Sequence, residues 1–214
     1  MLVNEIFSSI EGEGIRAGYP VTFIRLYGCN LHCSYCDTRY SCEGGDFKKM
    51  SVDEILEQVA DLGFHRVTLT GGEPLIHKDV NDLIMALLKA DYELNIETNG
   101  AVYIAPYVHS TKTIITLDYK SISSGENGSM WLSNIPILRK RDVLKFVVGS
   151  QEDLDDMRRI ITEKHPMCNI YVSPVFGKIE PKAIVEYIKE HKLENCRVQL
   201  QMHKFIWPPQ QRGV

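Results

Sequence analysis

Short apolar runs alternate with amphipathic helical patterns along almost the whole chain. That alternation restricts the fold to βαβ units around a parallel sheet, open or closed into a barrel. The runs are Val21–Tyr27, Arg66–Thr70, Glu93–Glu97, Thr113–Leu117, Val143–Val148, Asn169–Val175 and Arg197–Leu200. They are short, rich in Val, Ile, Thr and Leu, and bounded by Gly, Pro, Asn or Ser. Between them, Ser51-Val52-Asp53-Glu54 is a capping-box sequence ahead of an apolar stripe of Ile55, Leu56, Val59 and Leu62. Ser150 and Asp153 open Gln151–Lys164 in similar fashion, Pro181 suits the first turn of Lys182–His191, and Val80–Ala90 is a fourth helix. Gly125–Ser129 reads as a loop, and the tail over 203–214 is expected to be non-helical. At 214 residues the chain is expected to form a single domain spanning 1–214.

Bulk properties exclude several classes. A hydrophobic content of 44% with 24% charged residues is that of a soluble globular protein. The net charge of −4 gives no electrostatic reason for a nucleic-acid partner, and Arg139-Lys140-Arg141 reads as a solvated cluster. No apolar run approaches the roughly 20 residues of a membrane span. The N-terminus carries Glu5 and no basic lead, unlike a signal peptide. Six unevenly spaced cysteines do not read as a secreted disulfide framework, so a reducing, cytoplasmic setting is expected.

The unusual residues gather at strand ends. Cys29, Cys33 and Cys36, spaced Cys-x3-Cys-x2-Cys, follow the first run, and Gly71-Gly72-Glu73-Pro74 follows the second. Glu97-Thr98-Asn99-Gly100 ends the third, Asp118-Tyr119-Lys120 the fourth and Ser173-Pro174 the sixth. Parallel α/β folds bind ligands at the carboxyl ends of their strands, so these motifs converge on one mouth. Three thiolates so close together are soft-metal ligands. A structural zinc site is the plain alternative, with Cys42 or His32 as fourth ligand, although no second ligand pair is present. Cys42, Cys168 and Cys196 otherwise read as buried bystanders.

The cysteine spacing and the Gly-Gly-Glu-Pro loop together resemble the radical S-adenosylmethionine enzymes. The resemblance implies an incomplete parallel (β/α) barrel of about six core strands. It also implies a 4Fe-4S cluster on Cys29, Cys33 and Cys36, whose open iron takes S-adenosyl-L-methionine and cleaves it to a 5′-deoxyadenosyl radical. Tyr35, Asp37, Gly72, Glu73, Glu97, Asn99, Asp118, Lys120, Ser173 and Phe176 fall where that superfamily contacts the cofactor.

Further pieces, from residue 4 to residue 205, narrow the resemblance. They are Ile10-Glu11-Gly12-Glu13-Gly14, Arg25, Asp37-Thr38 and Gln201-Met202-His203-Lys204, in an order similar to the 7-carboxy-7-deazaguanine synthase family of queuosine and 7-deazapurine biosynthesis. The implied substrate is 6-carboxy-5,6,7,8-tetrahydropterin, a flat heterocycle with a carboxylate. Arg25 offers a planar fork to that carboxylate or to a ring oxygen. Ile10, Glu11 and Gly12 can present backbone groups to the pterin edge, Glu11 or Glu13 can accept its N–H groups, and Thr70 and His203 complete the pocket. Thr38 supplies a hard oxygen suited to Mg²⁺. An external one-electron reductant such as flavodoxin or ferredoxin, and a homodimer, follow from the resemblance alone. Read one at a time, Arg25 is a salt-bridge residue, Glu11 and Glu13 an acidic turn, and His203-Lys204 a solvated tail. The family often has Gln where this chain has Glu11, and Ser-Pro-Lys where it has Asp118-Tyr119-Lys120. The rival readings are a glycyl-radical activase, which needs an open protein-docking face, and a zinc-stapled binding module.

Overall fold

A computed structural model describes residues 1–214. Strands β1 (Leu2–Ile10) and β2 (Pro20–Leu26) form an antiparallel hairpin, with the two-residue β3 (Lys48–Lys49) outside β1. From β2 the sheet continues in parallel through β4 (Arg66–Gly71), β5 (Glu93–Thr98), β6 (Thr113–Tyr119), β7 (Val143–Val148), β8 (Asn169–Pro174) and β9 (Cys196–Val198). The order β3-β1-β2-β4-β5-β6-β7-β8-β9 does not close on itself, which is the incomplete barrel expected.

Alternation of side chains sorts the strands into two layers. Ile24, Leu69, Ile96, Ile115, Leu117, Leu144, Ile170 and Val172 share one register and are buried. They meet the helices α1 (Val52–Leu62), α2 (Val80–Lys89), α3 (Gln151–Lys164) and α4 (Pro181–Glu190) in a single hydrophobic core. Each fully buried residue of this size contributes roughly 1.5–3 kcal/mol. The other register is polar: Arg25, Thr70, Glu97, Asp118, Lys145 and Ser173 all face the barrel interior. Burial on the outer face thus fixes the strand register that sends polar groups inward.

Boundaries differ from expectation where tertiary contacts override local pattern. β1 has no clean alternation because its pairing with β2 slips between Val3 and Glu5, leaving Asn4 as an extra residue. β6 runs on to Tyr119, which is buried against Phe146 at 5.0 Å between ring centroids and donates its hydroxyl to Asp156 at 2.9 Å. The crossovers β5–β6 and β6–β7 contain only 3-10 turns. Ser51 and Glu54 form a capping box at α1. At α3 Ser150 accepts from the Asp153 amide, but the Asp153 carboxylate turns away to the Ser123 and Gly149 amides. The expectation of a non-helical tail over 203–214 is corrected: α5 (His203–Ile206) is one helical turn, started where the Met202 amide bonds to the Gly12 carbonyl at 3.2 Å.

Gly71 has φ +150°, and a Cβ there would lie 2.2 Å from the Leu26 carbonyl oxygen. Gly71→Ala should therefore destabilise the fold by about 2–3 kcal/mol in denaturant unfolding, by forcing β2 and β4 apart. A loss below about 0.5 kcal/mol, the range of a neutral surface change, would show that these strand ends separate freely.

Candidate active site

The cysteine loop leaves β2 at Gly28 and crosses the mouth of the barrel. A neighbouring crossover holds it: the Ser34 amide donates to the Ser124 carbonyl at 2.9 Å, the Ser34 hydroxyl to the Ser123 carbonyl at 2.6 Å, and the His32 amide to Glu126 at 2.7 Å. A Cβ on Gly72 would lie 2.2 Å from the Gly28 oxygen and 2.8 Å from the Cys29 Cβ, so only glycine lets the second loop approach the first. Glu73 is fully buried beneath them and accepts from the Leu75 and Asn99 amides and the Thr98 hydroxyl at 2.6–3.0 Å. Burial pushes its carboxyl up to about 7 despite those donors. Asn99 lies 3.7 Å from the Cys29 sulfur and bonds Asn30 at 2.9 Å.

Cys29, Cys33 and Cys36 are all free thiols on one cavity of about 910 Å³. Cys42 is not the isolated bystander expected from its spacing. It lines the same cavity, with its thiol 3.8 Å from the Thr38 carbonyl. Beside it the Cys29 and Cys36 thiols are drawn down to about 6, whereas burial pushes Cys33 up to about 11. Cys168 and Cys196 are raised by burial and lie outside the cavity. The Thr38 hydroxyl is 3.8 Å from the Cys36 sulfur, and Asp37 pairs with Lys204 at 2.9 Å.

The same cavity descends into the barrel. Thr70 donates to Glu97 at 2.8 Å, Asp118 lies 3.2 Å from Lys120 and 3.8 Å from Lys145, and Arg25 meets Glu5 at 2.7 Å. The loop between β1 and β2 plugs the end opposite the cysteines. Arg16 ties it there, donating to the Glu93 and Val67 carbonyls at 3.2 and 3.1 Å, at the starts of β5 and β4. Glu13 accepts from Lys145 at 2.8 Å, Ser173 at 2.7 Å and Gln201 at 3.1 Å. These partners outweigh burial and hold its carboxyl below the usual range. A Cβ on Gly12 would lie 2.4 Å from His203 Nδ1, so the glycine admits the imidazole to the floor. Burial lowers the His203 pKa, keeping the ring neutral.

Residues 23–124 match the family model of the radical SAM superfamily. A 7-carboxy-7-deazaguanine synthase from Clostridium acetobutylicum is 43% identical over 99% of this chain and 98% of its own length. Another, from Methanospirillum hungatei, is 42% identical over 98% of this chain and 86% of its own. The crystal structure of QueE from Escherichia coli matches with a TM-score of 0.76 at 25% identity, covering 94% of each chain. The chain belongs to the 7-carboxy-7-deazaguanine synthase family. It is a radical S-adenosylmethionine enzyme, with the 4Fe-4S cluster and S-adenosylmethionine of that family.

The residues present fit those groups. Three thiols border one space, a glycine cradle lies against Cys29, and a buried acceptor, Asp118 Oδ1, has no protein partner in the wall below. Of the residues expected from sequence, Tyr35, Asp37, Thr38, Gly72, Glu97, Asn99, Asp118, Lys120 and Phe176 line the cavity with the cysteines. Tyr35 donates to the Val147 carbonyl at 3.3 Å, and half-exposed Phe176 packs edge-on against Phe205. Ile10, Gly12, Glu13, Arg25, Thr70 and His203 line it lower down. Glu73 supports the loop from beneath, and Ser173 points its hydroxyl at Glu13.

Glu11 differs from expectation. The residue is 2% exposed, and its carboxylate is engaged by Arg16 at 3.2 Å and the Thr68 hydroxyl. Its N–H donates to the Tyr19 carbonyl and its carbonyl accepts from the Gly18 amide, both at 2.8 Å, so it braces the floor. Sequence reasoning also missed Lys145, although a lone lysine inside the apolar strand Val-Leu-Lys-Phe-Val-Val is a readable signal. Arg16 and Gln201 gave no local signal.

Burial, then repulsion from Glu97, raises the Glu11 carboxyl to about 7, against the pull of Arg16. A carboxyl raised in the folded state contributes stability that is present below its unfolded pKa and lost as pH rises through the folded one. Glu11→Gln removes that titration. Relative to the variant, the parent should lose about 2–3 kcal/mol of unfolding free energy between pH 4.5 and pH 8. Parallel stability curves for the two proteins would show that the Glu11 carboxyl is not raised by folding.

Proposed function

We propose that this chain converts 6-carboxy-5,6,7,8-tetrahydropterin to 7-carboxy-7-deazaguanine with loss of ammonia, in queuosine or other 7-deazapurine biosynthesis. The carrying observation is that one cavity joins the three-cysteine mouth to a polar floor, in a chain near-full-length similar to two 7-carboxy-7-deazaguanine synthases. When bound on Cys29, Cys33 and Cys36, the cluster together with S-adenosylmethionine supplies hydrogen-abstracting radical chemistry. The chain's own residues then position the substrate. Arg25, from β2, takes the carboxylate. Backbone of Ile10 and Gly12 meets the heterocycle edge, beside the stacked rings of Phe7 and Phe23 at 5.1 Å. Glu13, held anionic by Lys145, accepts an N–H, and neutral His203 offers either a donor or an acceptor. On the mouth side Asn99, Lys120 and Asp118 take the polar groups of S-adenosylmethionine.

Thr38 provides an oxygen for Mg²⁺ beside the cluster loop. The reaction runs in the cytoplasm, fed by an external one-electron donor such as flavodoxin or ferredoxin, with the chain as a homodimer. No helix is long and apolar enough to cross a membrane. An activase acting on a partner protein needs an open docking face, and the well-like cavity with charged walls does not favour it. A zinc-stapled module is likewise disfavoured by membership of the radical family.

The reconstituted protein, assayed anaerobically with reductant and the carboxytetrahydropterin, should form the deazapurine chromophore. S-adenosylmethionine cleavage with no deazapurine at any substrate concentration would overturn the reading. Within that assay, Cys33→Ala should lose bound iron and all cleavage, while Cys42→Ala should retain its cluster. Thr38→Ala should keep its iron but turn over at least tenfold more slowly and respond less to Mg²⁺, roughly the cost of a lost metal ligand. An unchanged Mg²⁺ response would remove Thr38 as a ligand.

A further inference from the structure

Arg25 lies part-buried in the cavity wall and uses one of its five N–H donors within the protein: Nε donates to Glu5 Oε1 at 2.7 Å. That leaves the planar fork of the two terminal nitrogens on the cavity. Glu5 Oε1 also accepts the Tyr40 hydroxyl at 2.9 Å. The Phe7 and Tyr40 rings each lie 6.0 Å from the guanidinium carbon, within reach of a cation–π contact.

The contact depends on an irregularity in β1. Val3 pairs with Leu26, but Glu5 pairs with Arg25 and Ile6 with Ile24, so Asn4 is one residue too many. In an unbroken ladder Glu5 would stand opposite Ile24, and its carboxylate would face the hydrophobic core. The bulge turns Glu5 to the inner face, where it stands directly across from Arg25. Asn4 itself is fastened by its side-chain amide to the Asp46 carbonyl at 2.6 Å. A bulge that re-aims one side chain onto a functional group points to a positioning role.

We propose that Glu5, assisted by Tyr40, is a positioning residue that pins Arg25 through Nε so that its terminal fork receives the substrate carboxylate. The inference rests on the proposed role of Arg25 in holding that carboxylate. Pinning at Nε fixes the plane of the guanidinium. A fork free to rotate would meet the carboxylate through one hydrogen bond instead of two. The function required of Glu5 is hydrogen-bond acceptance, which a glutamine carbonyl can also supply.

The test is anaerobic calorimetry on the cluster-loaded protein with two ligands, the product 7-carboxy-7-deazaguanine and 7-deazaguanine, which has hydrogen in place of the carboxylate. The parent should prefer the acid at least tenfold, the scale of a charged hydrogen-bonded contact. Glu5→Ala should shrink that preference to below about threefold while leaving affinity for 7-deazaguanine unchanged, as loss of one of two parallel bonds implies. Glu5→Gln should restore most of the preference, and Tyr40→Phe should lower it about twofold to fivefold, since a neutral hydrogen bond is worth less than a charged one. Iron content and melting temperature confirm that each variant is loaded and folded.

An undiminished preference in Glu5→Ala overturns the positioning role and leaves the proposed function standing. Equal losses for both ligands overturn it in favour of a structural ion pair, as does a Glu5→Gln variant no better than Glu5→Ala. A parent with no preference for the acid overturns the role of Arg25 and this inference with it.

Discussion

Glu13 does for this barrel what backbone hydrogen bonds do for a closed one. The sheet ends at β3 on one side and β9 on the other, and no ladder joins them. The loop after β1 bridges the gap: Glu13 reaches Lys145 on β7 and Ser173 on β8, and the Gly14 backbone exchanges two hydrogen bonds with the Gln199 side chain at 2.7 and 3.1 Å. The Met202 amide adds a bond to Gly12. Breaking one partner of a buried ion pair costs about 3–5 kcal/mol, because the other charge is stranded. The Glu13–Lys145 pair therefore couples closure of the open sheet to the ionisation of its own floor. A site built this way is rigid where substrate atoms must be held, although its walls belong to an open structure.

The mouth is held by a different chain of contacts. Asp153, at the start of α3, accepts from the Ser123 amide at 2.8 Å and the Gly149 amide at 2.7 Å. The turn so fixed offers the Ser123 and Ser124 carbonyls to Ser34 in the cysteine loop. On the opposite side Lys204 ties Asp37 to α5, and the adjacent His203 rests on Gly12. Two neighbouring residues of one helical turn thus touch the cysteine loop and the floor. A shift in either is transmitted over a path that contains no flexible linker.

Much of this was legible because parallel strands concentrate information at their ends. The cysteine loop, the double glycine and the third- and fourth-strand motifs all begin within two residues of the end of an apolar run, and Cys29, Gly72, Glu97, Asn99, Asp118 and Lys120 from them line the one cavity. Helices with capping signals, α1 and α3, were readable from a few local residues. Features set by distant partners were not. Asn4 looks like any polar strand residue until its pairing partner is known, so the bulge hid β1 from a period-two reading. Cys42 looks isolated in sequence because only the 3-10 turn over Arg39–Ser41 carries it back to the cavity that the other three line. α5 is too short to leave a periodic trace and exists because Gly12 anchors its first residues.

Electrostatics in the floor explain how a carboxylate can stand at residue 11, where the family resemblance leads to the expectation of an amide. The inner face of the sheet and the loop after β1 set Glu5, Glu11, Glu13, Glu97 and Asp118 against Arg16, Arg25, Lys120 and Lys145. Five carboxylates against four fixed cations leave one negative charge without a partner if all are ionised. Glu97, held by the Thr70 hydroxyl alone, is the carboxylate without a cation, and burial together with its repulsion raises the Glu11 carboxyl to about 7. A protonated carboxyl is neutral and carries one donor and remaining acceptors, as a glutamine side chain carries both. Near neutrality Glu11 can therefore carry the same charge as Gln and still accept from Thr68 and Arg16. The substitution leaves the hydrogen-bonded floor in place and alters its response to pH.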